Sequence, residues 1–142
     1  MLFRSYSGVA DWDIIGEVVS AVKIPVFANG DIKDENDVKK VLEQTGAFGV
    51  AIGRGSGGKP WIFAELSGQE VDVDVFEDIK THYDLMLKHL PPHVVASEMK
   101  KHIAAYFKGK RGVKQLLNEV FKTKTVEEQM SLLAGYFNGS QN

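Results

Sequence analysis

Two short apolar segments, each ending in polar residues and glycine, constrain the fold of this 142-residue chain more than any other feature. The first covers residues 24–28 and ends at Asn29 and Gly30. The second covers residues 48–52 and ends at Gly53. Short apolar segments bounded by turn residues are typical of parallel strands that are buried on both faces. We therefore predict two buried strands.

The residues between these strands predict a helix over positions 35–44, with Asp34 as its N-cap. Strand, helix and strand in this order form a βαβ unit, and the loops that follow its two parallel strands emerge at the same edge of the sheet. We therefore expect the residues of these two loops to converge in space. They are Asn29, Gly30, Asp31, Gly53, Arg54 and Gly55.

The converging loops have the composition of a phosphate site. Gly53 and Gly55 lack side chains, so an anion can approach their backbone N–H groups, and Arg54 offers a guanidinium fork for phosphate oxygens. Pro60 suits the first turn of a short helix over residues 61–66, whose N-terminal dipole would favour an anion. This element order matches the phosphate site of (β/α)8 barrels. A tight turn with an exposed arginine is the alternative for Gly-Arg-Gly alone, and the accompanying Asn-Gly-Asp loop favours a phosphate-bearing cofactor or substrate.

The rest of the chain reads as helical. Apolar periodicity is interrupted over residues 67–74 and then resumes at helical spacing. Helices are predicted over residues 76–89, 94–107, 113–121 and 126–137. The fold class is therefore α/β plus all-α: residues 1–68 as the C-terminal part of a (β/α)8 TIM barrel, and residues 69–142 as a small four-helix domain.

Charge is distributed unevenly along the chain. Residues 97–124 contain eight Lys or Arg and two Glu, although the formal net charge of the whole chain is −2. Such a basic segment can bind an RNA backbone, or it can simply be a solvated helix surface. The candidate RNA contacts are Lys100, Lys101, Lys108, Lys110, Arg111 and Lys114. Tyr106 and Phe107 could stack on a base, but aromatic residues at helical spacing are more often part of a core.

Several segments occur in the order and spacing of one known family: Tyr6-Ser7-Gly8, Ala10-Asp11-Trp12, Ile24-Pro25-Val26, Asn29-Gly30-Asp31, Gly53-Arg54-Gly55 and Pro60-Trp61-Ile62-Phe63. Over roughly residues 3–137 the chain resembles the bacterial tRNA-dihydrouridine synthases. The resemblance implies an FMN cofactor in a (β/α)8 barrel, NADPH as its reductant, and hydride transfer to the C5=C6 bond of a uridine in tRNA. It also implies a C-terminal helical domain that binds tRNA.

The resemblance also suggests roles for individual residues. Asn29 and Asp31 would hold the flavin or its phosphate, although either could instead cap the following turn. Arg4 and Tyr6 would lie near the substrate cleft. His102 follows two lysines where the family often has a basic residue and a histidine, which favours a phosphate contact or a role in helix packing. Further matches are Tyr106-Phe107-Lys108-Gly109 and Thr125-Val126-Glu127-Glu128, whereas Ala105 replaces the family's usual tryptophan.

The family's catalytic acid is a cysteine near the middle of the barrel, and this chain contains no cysteine. We therefore expect no catalytic residue here, and we read the chain as the C-terminal portion of a synthase about twice as long, or as a degenerate copy that is inactive alone. Two other functions stay open. One is a stand-alone RNA-binding module with a barrel remnant, and the other is a different FMN-dependent TIM-barrel oxidoreductase.

Three further expectations concern assembly and environment. Two parallel strands do not make a stable sheet, so exposed barrel edges predict a homo-oligomer or a rearranged first segment. His89 and His93 have helical metal-ligand spacing, but the prolines between them break that geometry, so we predict no metal site. No apolar segment approaches the length of a membrane span, and we expect a cytoplasmic protein without a membrane partner.

Overall fold

A computed structural model describes residues 10–139, which divide into two compact units. The first unit contains the described residues up to Ser56 together with Trp61–Val71, and the second contains Gly57–Pro60 and the residues from Asp72 onward. Arg4, Tyr6 and the motif around Tyr6 lie outside the described residues. No helix in the described range is long and apolar enough to cross a lipid bilayer.

The first unit alternates helices with two short strands. Its elements, in chain order, are α1 (Trp12–Ala21), β1 (Phe27–Asn29), α2 (Glu35–Thr45), β2 (Gly49–Ala51), a 3₁₀ turn (Arg54–Ser56) and α3 (Ile62–Leu66). Asp34 caps α2 as predicted, because its carboxylate accepts the N–H of Asp37 at 2.9 Å. Gly46 ends the helix in the left-handed conformation, with φ of 66°.

The two strands pair in parallel, which confirms the predicted βαβ unit. Phe27 pairs with Gly49, Ala28 with Val50, and Asn29 with Ala51. Both strands are shorter than predicted, although the Phe48 N–H also donates to the Val26 carbonyl at 2.9 Å.

The prediction that the first strand is buried on both faces is wrong. Ala28 is 1% exposed and packs into a core with Ile32 and Val41, whereas Phe27 on the opposite face is 56% exposed. The Phe27 ring instead contacts the exposed Phe48 edge to face, with centroids 5.5 Å apart. One face of the sheet thus packs on an apolar core. No described residue covers the other face, which is called the open face below.

Four helices make up most of the second unit. They are α4 (Val75–Leu87), α5 (Pro92–Tyr106), α6 (Lys114–Lys122) and α7 (Val126–Gly139). Each helix end lies within about two residues of its predicted position. Helix α5 begins earlier than predicted, at Pro92, because proline lacks only an N–H that the first helical turn leaves unpaired. Thr125 caps α7: its hydroxyl accepts the Glu128 N–H, and the Glu128 carboxylate accepts the Thr125 N–H.

A buried glutamine connects three of these helices. Gln129 of α7 is fully buried, accepts the Tyr83 hydroxyl of α4 at 2.6 Å, and donates to the Ala96 carbonyl of α5 at 2.8 Å. Burial raises the pKa of Tyr83, so its hydroxyl remains a donor at neutral pH. The polar groups are satisfied inside an otherwise apolar core, which favours one arrangement of the three helices.

Gly58 packs against the backbone of α5 within the second unit. Its φ is 75°, and a Cβ at this position would lie 2.2 Å from the Ala105 carbonyl carbon and 2.5 Å from the Tyr106 nitrogen. Backbone atoms cannot move aside as a flexible side chain can. Glycine is therefore required here both by conformation and by space.

We predict that Gly58→Ala destabilises the protein by about 2–5 kcal/mol, because left-handed strain and a steric clash add together. Gly112→Ala is the matched control: its φ is 79°, but a Cβ there meets nothing within 4 Å. This control is expected to cost only about 1–2 kcal/mol. Urea unfolding measures both, and equal costs would contradict the proposed contact.

Candidate functional site

The loop after β1 is held against the chain segment that precedes α1. The Asp31 carboxylate accepts the Ala10 N–H at 2.5 Å, and the Trp12 indole N–H donates to the Gly30 carbonyl at 3.3 Å. A Cβ at Gly30, whose φ is 132°, would lie 2.6 Å from the Ala10 Cβ. These contacts fix the direction in which the strand ends. Trp12 therefore anchors this loop, in addition to packing against the core of the unit.

Asp31 adopts a left-handed backbone, with φ of 56°, the only non-glycine residue among positions 10–139 with a positive φ. Aspartate tolerates this conformation better than most residues. One carboxylate oxygen of Asp31 accepts the Ala10 N–H, whereas the N-cap of α2 is Asp34. The alternative role of Asp31, as a cap of the turn that follows β1, stays a prediction.

The loop after β2 folds back on itself and meets the loop after β1. The Ser56 N–H and hydroxyl donate to the Gly53 carbonyl at 3.1 Å and 2.8 Å. A Cβ at Gly55 would lie 3.0 Å from the Ile32 carbonyl oxygen. The loops after the two strands are therefore adjacent, as the βαβ reading predicts. The absence of a side chain at Gly55 permits this close approach of the two loops.

The residues facing outward at this edge are suited to an anion. Asn29 is exposed, and its side chain makes no hydrogen bond within residues 10–139. A Cβ at Gly53 would meet nothing within 4 Å, so the backbone there is open to close approach. Arg54 is also exposed beside it. An amide, an open backbone and a guanidinium at one sheet edge can bind phosphate or other oxygen-rich groups.

The short helix predicted after Pro60 contributes less than expected. It begins at Ile62 instead of Trp61, and it ends at Leu66 after five residues. Trp61 occupies the N-cap position without a side-chain hydrogen bond. A helix of one turn has few aligned peptide dipoles, so the expected attraction of an anion to its N-terminus is weak.

The basic segment of the second unit divides into internal and external groups. The Lys100 ammonium donates to the carbonyls of Phe121 at 2.9 Å and Thr123 at 2.6 Å, at the C-terminal end of α6. The neighbouring Lys101 is exposed and pairs with Glu98, which lowers the pKa of that carboxyl. Lys100 therefore closes a helix end, and Lys101 lies at the surface.

The turn between α5 and α6 carries most of the accessible positive charge. Gly109 and Gly112 are left-handed, with φ of 80° and 79°, as expected for residues that bracket a turn. The exposed cations of this segment, called the basic turn below, are Lys108, Lys110, Arg111 and Lys114. The aromatic residues before it are internal: Tyr106 is 7% and Phe107 1% exposed. The idea that these two rings stack on a base is wrong, and their role in the core is confirmed.

His82 on α4 packs against a histidine of another helix. It is half-buried, and its ring lies 4.7 Å from that of His102 between centroids. Burial, followed by the charge of His102, lowers the pKa of His82. Burial also lowers the pKa of His102, with a smaller effect from Lys101. His102 thus has the packing role that was one of its two expected roles.

Two structural residues were missed because their signals are weak in a sequence. Gly58 is one of a pair of adjacent glycines, which could have indicated a close backbone contact. Gln129 is a polar residue at a buried helical position, which could have indicated a hydrogen-bonded network. His82 offered no such signal, because its partner His102 lies on a different helix. Within the described residues, no group of three or more His, Cys, Asp or Glu side chains is arranged to hold a metal.

We predict that Lys100→Met destabilises the protein by about 1–2 kcal/mol, because two carbonyls at the end of α6 lose a charged donor. Lys101→Met is the adjacent control and is expected to change stability by less than about 0.5 kcal/mol. Thermal or urea unfolding of both variants checks this. Similar effects of the two substitutions would contradict the structural role of Lys100.

A family model described as dihydrouridine synthase (Dus) matches residues 3–138, nearly the whole chain. The chain belongs to the dihydrouridine synthase family. A probable tRNA-dihydrouridine synthase of Mycobacterium leprae is 38% identical over 140 residues, and one of Rickettsia conorii is 35% identical over 134 residues. The tRNA-dihydrouridine synthase B of Pseudomonas putida is 31% identical over 144 residues.

The matches cover a large share of this chain but a smaller share of each relative. They include 92%, 84% and 93% of this chain, but only 36%, 40% and 42% of the three relatives. The chain therefore spans less than half the length of these curated relatives. The resemblance noted from the sequence motifs is confirmed at the level of the family.

Proposed function

We propose that this chain is part of a flavin-dependent tRNA-dihydrouridine synthase, which reduces uridine to 5,6-dihydrouridine in tRNA with FMN and NADPH. Residues 1–68 are the C-terminal fragment of its FMN-binding TIM barrel, and residues 69–142 are its helical tRNA-binding domain. Family membership supports the proposal, as do relatives named for this activity on tRNA. A bacterial enzyme acting on tRNA would work in the cytoplasm.

The single observation that carries the cofactor assignment is the meeting of the loops after β1 and β2. Parallel pairing sets Asn29 beside Ala51, and Gly55 lies against the Ile32 carbonyl. The open backbone at Gly53 and the exposed Arg54 guanidinium fit an anionic phosphate. In our proposal the FMN contacts are Asn29, Gly30, Asp31, Gly53, Arg54 and Gly55.

Each part of this edge has a separate task in the proposal. Arg54 and the Gly53 backbone bind the phosphate, while the Asn29 amide and the second carboxylate oxygen of Asp31 orient the remaining polar groups. When bound, FMN supplies the hydride chemistry, taking electrons from NADPH and reducing the C5=C6 bond of uridine. This chain has no cysteine to donate the accompanying proton, so the fragment alone is proposed to be inactive.

The RNA surface of the proposal is centred on the basic turn. Exposed cations on a turn can follow a phosphate backbone, and the Lys110 ammonium remains exposed while lying 5.6 Å from the centroid of the Phe107 ring. The contacts predicted from the sequence are Lys100, Lys101, His102, Lys108, Lys110, Arg111 and Lys114. Lys100 and His102 would act mainly by holding α5 in place, given their internal contacts. Direct phosphate contacts would come from the other five.

We predict that Arg54→Ala weakens FMN affinity by about 10- to 100-fold in a complete synthase carrying this segment, because a charged hydrogen-bond donor to the phosphate is lost. Riboflavin has the same ring and ribityl chain but no phosphate, so its affinity is expected to change little. Quenching of flavin fluorescence measures both ligands. A parallel loss for FMN and riboflavin would sink the phosphate assignment.

We predict that Lys110→Ala and Arg111→Ala each lower the salt dependence of tRNA binding to the full chain, with the slope of log affinity against log salt falling by about one. Lys39→Ala is the control, because Lys39 is exposed on α2 and pairs with Glu35. Affinity can be measured by fluorescence anisotropy at several salt concentrations. If the control changed the slope as much as the turn variants, binding would not be localised to the turn.

A stand-alone RNA-binding module is the second candidate function. The second unit has its own core and its own buried polar network, which would support RNA binding without a flavin. Binding of tRNA without any FMN binding would favour this candidate. The open face of the sheet, with exposed Phe27 and Phe48, also keeps the proposal of a homo-oligomer through the barrel edges.

A further inference from the structure

Two histidines on different helices stack in the second unit. The rings of His82 on α4 and His102 on α5 are 4.7 Å apart between centroids, with their planes tilted by 57°. The Tyr106 hydroxyl lies 3.4 Å from His82 Nδ1, and the two rings meet edge to face. The contact therefore connects α4 to α5.

The location of this contact ties it to the basic turn. Tyr106 is the last residue of α5, and Phe107 and the turn follow directly. The other side of this helix end meets the backbone at Gly58. The position of the turn therefore depends on how the end of α5 is held against α4.

Charges around the pair come mainly from its own helices. These groups are Asp78 on α4, and Glu98 and Lys101 on α5. From α7 the contact with α4 and α5 includes the neutral Gln129. At the junction of α6 and α7, backbone hydrogen bonds from Lys124 and Thr125, together with the charges of Lys124 and Lys100, lower the pKa of Glu128. None of the ion pairs found among residues 10–139 involves either histidine ring.

We propose that His82, His102 and Tyr106 form a proton-sensitive link, which holds the end of α5 and the basic turn in position while both imidazoles are neutral. Protonation of either ring sets a positive charge against its half-buried neighbour. In the His82 tautomer whose Nδ1 accepts the Tyr106 hydroxyl, protonation of that nitrogen also removes the acceptor. Both changes weaken the contact between α4 and α5.

The direction of the pH effect follows from linkage. Burial lowers the pKa of both histidines in the folded chain, whereas in the unfolded chain they titrate near about 6.5. The unfolded state thus binds more protons near pH 6. Stability contributed by this link is present above about pH 7, falls as the pH drops through 6.5, and levels off below the native pKa values.

The test is a titration of the full chain by NMR between pH 5 and 8, in which the four histidines serve as reporters. His82 and His102 are expected to titrate below about 6.5, the usual value of an imidazole. Backbone amides of residues 107–112 are expected to shift with the same midpoint as the stacked rings. Titration of both stacked histidines at the usual value, or turn amides that ignore the transition, would overturn the proposal. The wild-type chain alone decides this.

Substitutions add a second readout. His82→Gln is expected to raise the pKa of His102 toward its usual value, and to lower the number of protons taken up on unfolding near pH 6. His89→Gln and His93→Gln are matched controls, since both residues are exposed in the same unit, and in both variants the pKa of His102 should stay lowered. Unchanged proton uptake in His82→Gln would contradict the link.

The expected effect on RNA binding rests on the proposed function. Failure of that function can be distinguished from failure of the histidine link. If the link controls the turn, tRNA affinity of His82→Gln should lose the part of its pH dependence that follows the histidine midpoint. Absence of tRNA binding at every pH would overturn the RNA function, while the NMR titration without RNA would still decide the link.

Discussion

The parallel pairing of β1 with β2 determines where every residue of the candidate site lies. Only three residues of each strand pair, so the register has little redundancy. A shift by one residue would turn Asn29 toward the core and Ala28 toward the open face. The contacts that prevent this lie outside the strands: Trp12 and Ala10 hold the first loop, and Ile32 meets Gly55 in the second. Loop packing therefore fixes the site as much as the strand hydrogen bonds do.

Helix α5 has the corresponding role in the second unit. Along its length it accepts a hydrogen bond from Gln129 at Ala96, donates from Lys100 to the end of α6, and stacks His102 on His82. Its last turn meets the backbone at Gly58. The neighbouring helices thus contact α5 at different positions along its length and through different types of interaction. All of these contacts of α5 together determine the position of the basic turn.

Local signals made much of the fold predictable. Apolar periodicity gave the helices to within a few residues, and short-range caps such as Asp34 and Thr125 could be read directly from spacing. The meeting of the two site loops was also predictable, because it follows from parallel strand order. The open face of β1 was not, since an apolar segment does not reveal how many of its faces are covered. Likewise, Gly58, Gln129 and His82 depend on partners distant in sequence.

The basic segment shows why a count of charges overstates a binding surface. Its lysines have similar sequence surroundings, yet Lys100 donates hydrogen bonds to two carbonyls, whereas the adjacent Lys101 is exposed and pairs with Glu98. Helical geometry separates them, because adjacent residues on a helix differ by about 100° in direction. The turn that contains the left-handed Gly109 and Gly112 is not helical, so its side chains do not alternate between core and solvent. Lys108, Lys110 and Arg111 are all exposed there. Turn geometry, more than net charge, therefore locates the surface on which an RNA backbone would be held.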